Sequence, residues 1–310
     1  MQKPMVDDQV REVLRRAAGA PHPADVKVEE ARRGLLAAVP SWSRPKRDVA
    51  SVRDVEIPTS AGFVRLRLYE PDIARPAPAI LYLHGGGWVR GSIETHDGLC
   101  RELAADGRCV VVSVDYRLAP ENPYPAPLED TWAALQWLAN EAPGVDRSRI
   151  AVAGDSAGGT LAVALTLRAR EEGGPAIAFQ LLAYPPLDAA CATPSFTEHA
   201  EGAMLTAAAM RWYWAQYAPD PETAASPYVS PLRANDLEGL PPAFVLTCEL
   251  DPVRDDGGLW ADRLRAAGVA VEHRRYPAMH IMLLMDGILE VARRARADLT
   301  ATLRRALRVE

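Results

Sequence analysis

The chain has 310 residues, 48% of them hydrophobic and 25% charged, proportions that exclude a collagenous, disordered or membrane-embedded class. With 35 basic against 41 acidic side chains the net charge is −6, and no long basic run occurs, so a nucleic-acid partner is not expected. The longest apolar stretches, such as Cys109–Val112 and Ile281–Met285, fall far short of the roughly 20 residues of a spanning helix, and no apolar segment follows Lys3 to form a secretory signal; a cytoplasmic protein that does not enter the membrane is expected.

Val6, Val10, Val13 and Leu14 fall on one side of a helix over residues 6–18, and Val28, Ala31, Leu35 and Leu36 do the same over 25–39. Beyond the stretch Pro40–Pro45, Val64, Leu66 and Leu68 alternate with Arg65 and Arg67, the pattern of a half-buried antiparallel edge strand. From Ile80 the pattern changes to short continuous apolar runs: Ile80–Leu83, Cys109–Val114, Ile150–Ala153, Phe179–Ala183 and Ala243–Cys248. Helical segments at Leu99–Asp106, Leu128–Glu141, Ala157–Arg170 and Gly257–Ala267 separate them, which implies a mostly parallel central sheet with helices on both faces. An alternating piece, Val269–Tyr276, and a helix from about Gly287 to Leu307 complete one α/β unit.

Residues 191–239 break this rhythm with an aromatic-rich helical segment, Arg211–Tyr217, and a loop studded by Pro219, Pro221, Pro227 and Pro231. They read as a cap insertion that, with the N-terminal helices of residues 1–50, covers the carboxyl ends of the strands. Residues 51–190 and 240–310 are then the two parts of one compact core. Cys100, Cys109, Cys191 and Cys248 lie far apart with no C-x-x-C pair, which excludes a zinc ribbon or a redox dithiol; Cys109 and Cys248, inside strand-like runs, are expected to be buried.

Gly154-Asp155-Ser156-Ala157-Gly158 matches G-x-S-x-G directly between a strand-like run and a helical segment. That placement is what the chemistry requires, because a sharp strand-to-helix turn exposes the serine hydroxyl. A serine needs a base to take its proton and an acid to orient the base. Of the histidines after Ser156, His199 falls in the cap and His273 inside an alternating strand, whereas His280 sits in the loop at a strand end and is the candidate base. Asp251, held in a turn by Pro252 after the run Ala243–Cys248, is the candidate acid, with Asp188 as the alternative; Asp255 and Asp256 are expected to cap the following helix. His84-Gly85-Gly86-Gly87-Trp88 follows another strand and lacks the spacing of either phosphate-binding glycine loop. The amides of Gly85 and Gly86, with that of Ala157, are the expected donors of an oxyanion hole, and His84 a residue that organises the loop.

Four separated motifs now stand together: His84-Gly85-Gly86-Gly87-Trp88, Asp115-Tyr116-Arg117-Leu118-Ala119-Pro120-Glu121, Gly154-Asp155-Ser156-Ala157-Gly158-Gly159 and Asp251-Pro252-Val253-Arg254-Asp255. In them the chain resembles the hormone-sensitive-lipase-like esterases, bacterial family IV of the α/β-hydrolases, over roughly residues 78–285. The resemblance implies an α/β-hydrolase fold with a helical cap and a Ser156–Asp251–His280 triad working with Gly85, Gly86 and Ala157. It implies a bracing role for Asp115 and Arg117, and a possible homodimer, frequent in the G-D-S-A-G branch. Where such enzymes often carry His-Gly-Phe, this chain has His280-Ile281-Met282, without the flexible glycine or the aromatic wall.

The expected activity is hydrolysis of short- to medium-chain carboxylic esters through an acyl-enzyme, with no metal or organic cofactor and a small-molecule ester as the partner. Trp88, Asp155, Trp212, Trp214 and Ile281, with Tyr217, are the pocket candidates. An amide, carbamate or lactone hydrolase with the same triad is the alternative, and a non-catalytic receptor on the same fold the remote one.

Overall fold

The computed structural model describes residues 7–201 and 204–309. Two helices lead, α1 (Asp8–Ala17) and α2 (Val28–Trp42); Val6, assigned above to the apolar side of the first, lies outside the described residues. The Asp7 side chain caps α1 by accepting from the Gln9 amide, and α1 buries Val10. In contrast, α2 buries none of its residues.

Among the described residues eight strands form one sheet: β1 (Ser51–Thr59), β2 (Gly62–Glu70), β3 (Ala77–Leu83), β4 (Val110–Val114), β5 (Val145–Asp155), β6 (Phe179–Ala183), β7 (Ala243–Leu250) and β8 (Val271–Met279). Their order is β1-β2-β4-β3-β5-β6-β7-β8. The β1–β2 and β2–β4 pairs are antiparallel and every later pair is parallel. Each interior strand feeds both sides of the sheet, as the period of two demands. On β3, Ala79, Leu81 and Leu83 join one apolar core while Ile80 and Tyr82 join the other.

Helices cover both faces. α4 (Ala126–Asn140), α5 (Ala157–Glu171) and α9 (Arg254–Ala266) supply the first core; α3 (Ile93–Gly107) and α10 (Glu290–Ala306) supply the second. A capping box fixes the start of α3, where the Ser92 hydroxyl accepts from the Thr95 amide and the Thr95 hydroxyl from the Ser92 amide. No helix among the described residues is long and apolar enough to cross a membrane.

Between β6 and β7 the chain leaves the sheet to form α6 (Ser195–Glu198), α7 (Ala207–Tyr217) and α8 (Pro221–Ala225). Here one expectation is corrected. Asp255 and Asp256 do not cap the helix that follows them, because α9 already begins at Arg254. They fasten the excursion instead: Asp255 accepts from the Ser195 amide at 3.0 Å, and Asp256 accepts from the Leu187 amide at 2.9 Å and the Thr193 hydroxyl at 3.0 Å. The Ser195 hydroxyl completes the staple by donating to the Pro252 carbonyl at 2.7 Å.

Burial drives the Asp256 carboxyl up to about 7, from 3.8. Between those values the folded state holds a proton that the unfolded chain has released. This contribution to stability is therefore whole below the lower value and is lost as pH rises through the upper one. The wild type is expected to lose stability relative to Asp256→Asn as pH rises from about 4 to about 7, by up to about 1.4 kcal/mol per pH unit, read from urea midpoints. A difference that stays level across that range refutes the assignment.

Candidate active site

The parallel strands end on one side of the molecule, and the loops that leave them carry the candidate residues. Ser156 follows β5 and precedes α5 with φ 51° and ψ −125°, outside the regions open to unstrained L-residues. Its amide donates to the Ala183 carbonyl at the end of β6, 2.8 Å away, which holds the turn. The helix can approach this closely because position 158 is glycine, where a Cβ would come within 2.0 Å of the Leu83 carbonyl oxygen.

Asp251 follows β7 and His280 follows β8, both buried. His280 Nδ1 stands 2.7 Å from Asp251 Oδ2, and Nε2 stands 2.8 Å from Ser156 Oγ. Because the carboxylate can only accept, Nδ1 carries the proton and Nε2 is left to accept from the serine hydroxyl. The Val253 amide donates to the other Asp251 oxygen at 3.1 Å. The alternatives considered from sequence lie elsewhere: Asp188 accepts from Arg233 Nε at 3.1 Å, His273 meets the Thr247 hydroxyl at 3.0 Å, and His199 meets Arg254 at 2.9 Å.

The glycine loop after β3 departs from expectation at one amide. The Gly85 N–H donates to Asp155 Oδ1 at 2.9 Å and so is not available to an oxyanion. Among the described residues the amides of Gly86, Gly87 and Ala157 have no acceptor. Ala157 is the first residue of α5, where a helix leaves its amides unpaired. Gly86 has φ 128°, and a Cβ there would meet the Arg90 carbonyl oxygen at 2.0 Å. Gly87, in place of Gly85, is therefore the second amide of the loop that is free. Only its own flank hinted at this, since three glycines in a row do not reveal which amide the protein itself occupies.

Asp155, expected in the pocket, is instead the anchor behind this loop. Its Oδ1 accepts from the Tyr82 hydroxyl at 2.7 Å as well as from Gly85, and His96 Nε2 lies 3.1 Å away. Burial alone would raise this carboxyl, but the His96 ring, the Tyr82 hydroxyl and the Gly85 amide hold it below the ordinary aspartate value. His84 is neutral, driven to about 3 by burial and by the neighbouring His96. It therefore keeps its Nδ1 proton on the Gly85 carbonyl, 2.9 Å away, and stacks on Tyr116 at 4.2 Å.

The aromatic candidates divide. Trp88, Trp214 and Tyr217 are corrected to packing residues: Trp88 is stacked on Tyr217 at 4.4 Å and lies 4.3 Å from Trp214, all three inside the first core. Trp212 is half-buried and meets Tyr213 edge-on at 5.1 Å. Tyr213 itself, not singled out beforehand, lies against Gly87, where a Cβ would fall 2.3 Å from its ring. Helical phase made it indistinguishable from its tryptophan neighbours in sequence. Tyr184, also missed, follows β6 with its ring 4.8 Å from that of His280. Ile281 follows the histidine at φ 60°, a left-handed conformation costly for a β-branched residue, and packs half-buried against the second core.

A family described as alpha/beta hydrolase fold matches residues 80–284. The chain is 44% identical over 252 residues to carboxylesterase NlhH of Mycobacterium tuberculosis, covering 79% of each. It is 37% identical over 277 residues to the ethyl acetate hydrolase of Pseudomonas putida, covering 86% of each. Its structure superposes on a thermostable esterase from Pseudomonas putida ECU1011 with a TM-score of 0.93, 35% identity and 100% of both chains covered.

The Asp155 anchor makes a graded pair of substitutions informative. Asp155→Ala leaves the Gly85 amide and the Tyr82 hydroxyl buried without an acceptor and is expected to destabilise by about 3 kcal/mol, with kcat down more than about tenfold. Tyr82→Phe removes one donor while Gly85 still holds the carboxylate, and is expected to cost only about 1 kcal/mol with kcat within about threefold of wild type. Urea unfolding and ester kinetics on both variants check the ordering.

Proposed function

The chain belongs to the alpha/beta hydrolase family as one of its hormone-sensitive-lipase-like serine carboxylesterases, and from that premise we propose that it cleaves short- to medium-chain acyl esters through an acyl-enzyme on Ser156. The observation that carries the reading is the unbroken chain of hydrogen bonds from Asp251 through His280 to Ser156. His280 takes the hydroxyl proton as Ser156 Oγ attacks the ester carbonyl, and buried Asp251 stabilises the imidazolium that results. The Gly86, Gly87 and Ala157 amides meet the oxygen that becomes negative in the tetrahedral intermediate. His280 then passes its proton to the departing alkoxide. In the second half it draws a proton from water, which attacks the acyl carbon and releases the acid.

The enclosure of the site supports a small acyl group: Ser156 is 6% and His280 2% exposed, and α7 brings Tyr213 down onto the oxyanion loop. The relative named for ethyl acetate hydrolysis points the same way. Four free, buried cysteines fit a reducing compartment, and we assign the enzyme to the cytoplasm. A homodimer is part of the reading through the resemblance of the G-D-S-A-G motif, and sedimentation resolves a particle of twice the chain mass from the chain alone.

Nitrophenyl esters from acetate to dodecanoate, run beside amide and carbamate analogues, test the activity. The expected profile has its kcat/KM maximum at or below about eight acyl carbons, amides at least about 100-fold slower, and no burst or turnover in Ser156→Ala. A maximum at dodecanoate overturns the chain-length reading, and turnover retained by Ser156→Ala overturns the nucleophile.

A further inference from the structure

We propose that Arg32 of α2 is a positioning residue for the oxyanion loop, acting through the Val89 and Ala119 carbonyls; this rests on the reading of Ser156 as nucleophile and the glycine-loop amides as oxyanion donors. The loop needs external ties because three consecutive residues, Gly86, Gly87 and Trp88, lie at φ 128°, 65° and 58°. For tryptophan that region is strained, and such strain persists only where the surroundings over-determine it.

The ties are identifiable. The Gly85 amide is held by Asp155, the Gly86 carbonyl accepts from the Val89 and Arg90 amides at 3.3 and 3.0 Å, and the Trp88 carbonyl accepts from the Ala119 amide at 2.9 Å. Arg32 reaches across 57 positions of sequence to add the next: its Nε donates to the Val89 carbonyl at 2.8 Å, and Nη2 to the Ala119 carbonyl at 3.1 Å. One planar guanidinium therefore bridges the oxyanion loop and the loop of Asp115–Glu121, fixing the turn from both sides. Glu121, half exposed on the outer side, also accepts from Nη1 and Nη2 at 2.9 and 2.7 Å, but the two carbonyl bonds do not depend on it.

The helix that supplies Arg32 has no buried residue of its own. Its other end is tied to the loop of the base: the Trp42 carbonyl accepts from the Gly287 amide at 2.8 Å, the Ser43 hydroxyl donates to the Leu284 carbonyl at 3.2 Å, and Arg44 Nε donates to Asp286 at 2.9 Å. Asp286 and Glu102 both pair with buried Arg296, whose Nε donates to the Leu283 carbonyl at 2.7 Å. Eleven helical residues, Arg32 to Trp42, rising about 15 Å, thus span from the oxyanion loop to the loop after His280. Misplacement of oxyanion donors is felt in the transition state and not in the bound ester, so the signature of losing Arg32 falls on kcat.

The test compares wild type, Arg32→Ala, Arg32→Lys, Glu121→Gln and Ser156→Ala as full chains on nitrophenyl butyrate, with urea midpoints and inhibition by an alkyl boronic acid. A boronic acid bonds to the serine and places an oxygen where the oxyanion forms. Arg32→Ala is expected to lower kcat about tenfold with KM within about twofold, and to weaken boronic acid binding by a similar factor. Arg32→Lys, able to reach one carbonyl, falls between. Glu121→Gln keeps both carbonyl bonds and stays within about twofold of wild type. Wild-type kcat in Arg32→Ala overturns the proposal, as does a Glu121→Gln variant that loses as much as Arg32→Ala. Should Arg32→Ala not fold, a reduced kcat in Arg32→Lys beside an unchanged Glu121→Gln sustains the proposal, and wild-type kcat in both overturns it. An inactive Ser156→Ala beside a fully active Arg32→Ala defeats this inference alone; an active Ser156→Ala defeats the reading beneath it.

Discussion

The hydrogen bond from the Gly85 amide to the Asp155 carboxylate is the constraint on which the site depends. Asp155 is the last residue of β5, immediately before Ser156, and Gly85 begins the glycine loop after the neighbouring strand β3. Parallel register pairs Leu83 with Gly154, so the two loops leave the sheet side by side. A shared carboxylate then converts proximity into fixed geometry: any shift of the serine turn carries the oxyanion loop with it. Such a charge is tolerable in an apolar interior only because the Tyr82 hydroxyl and the Gly85 amide donate to it, with the His96 ring 3.1 Å away. The same bond occupies the Gly85 amide and leaves the next two amides, of Gly86 and Gly87, without an acceptor among the described residues.

Around this anchor the backbone is strained at four non-glycine positions: Trp88, Ser156, Tyr184 and Ile281, with φ of 58°, 51°, 38° and 60°. Each follows a strand that ends at the site. A left-handed residue reverses the chain abruptly, and abrupt reversal at a strand end is what turns a side chain or an amide toward a common centre. Strain of about 1–3 kcal/mol at each such position must be offset locally. Trp88 is held by stacking on Tyr217, Tyr184 by its amide on the Leu246 carbonyl, and Ser156 by its amide on the Ala183 carbonyl. Ile281 has its carbonyl on the Leu284 amide and its side chain against the second core.

What was legible in the sequence follows the same physics. Strands buried on both faces appear as unbroken apolar runs, and the β3, β4, β5, β6 and β7 strands contain or overlap the runs at Ile80, Cys109, Ile150, Phe179 and Ala243. Residue type and chain order singled out Ser156, Asp251 and His280, because few side chains can act as nucleophile, base or acid and each must follow a strand. The distribution of amides was not legible. Whether Gly85 or Gly87 faces a substrate depends on which N–H the protein itself occupies, and that is set by Asp155, 70 positions away. Aromatic residues at 212, 213 and 214 were equally opaque, since the roll of α7 on the core decides which ring meets the loop. Asp255 and Asp256 looked like helix caps because capping is local, yet their partners lie about 60 to 70 positions back, in the excursion after β6.

The insertion and the N-terminal helices both touch the glycine loop or its neighbours, but they are attached in different ways. The insertion is anchored by burial: Met210, Tyr213, Trp214 and Tyr217 lie in the first core, and displacing α7 would expose all of them. At about 25 cal/mol per Å² of apolar area, several large aromatic rings make that displacement comparable to unfolding part of the domain. In the N-terminal piece α1 adds Val10 to the second core, whereas α2 is anchored mainly by polar contacts at its two ends with none of its residues fully buried. Val28 and Trp42 pack half-buried against the two cores and the polar contacts add about 1 kcal/mol each, so α2 is held by less apolar burial than α7. An element bonded at one end to the turn after the glycine loop and at the other to the loop after His280 ties those two loops to each other as well as to the sheet.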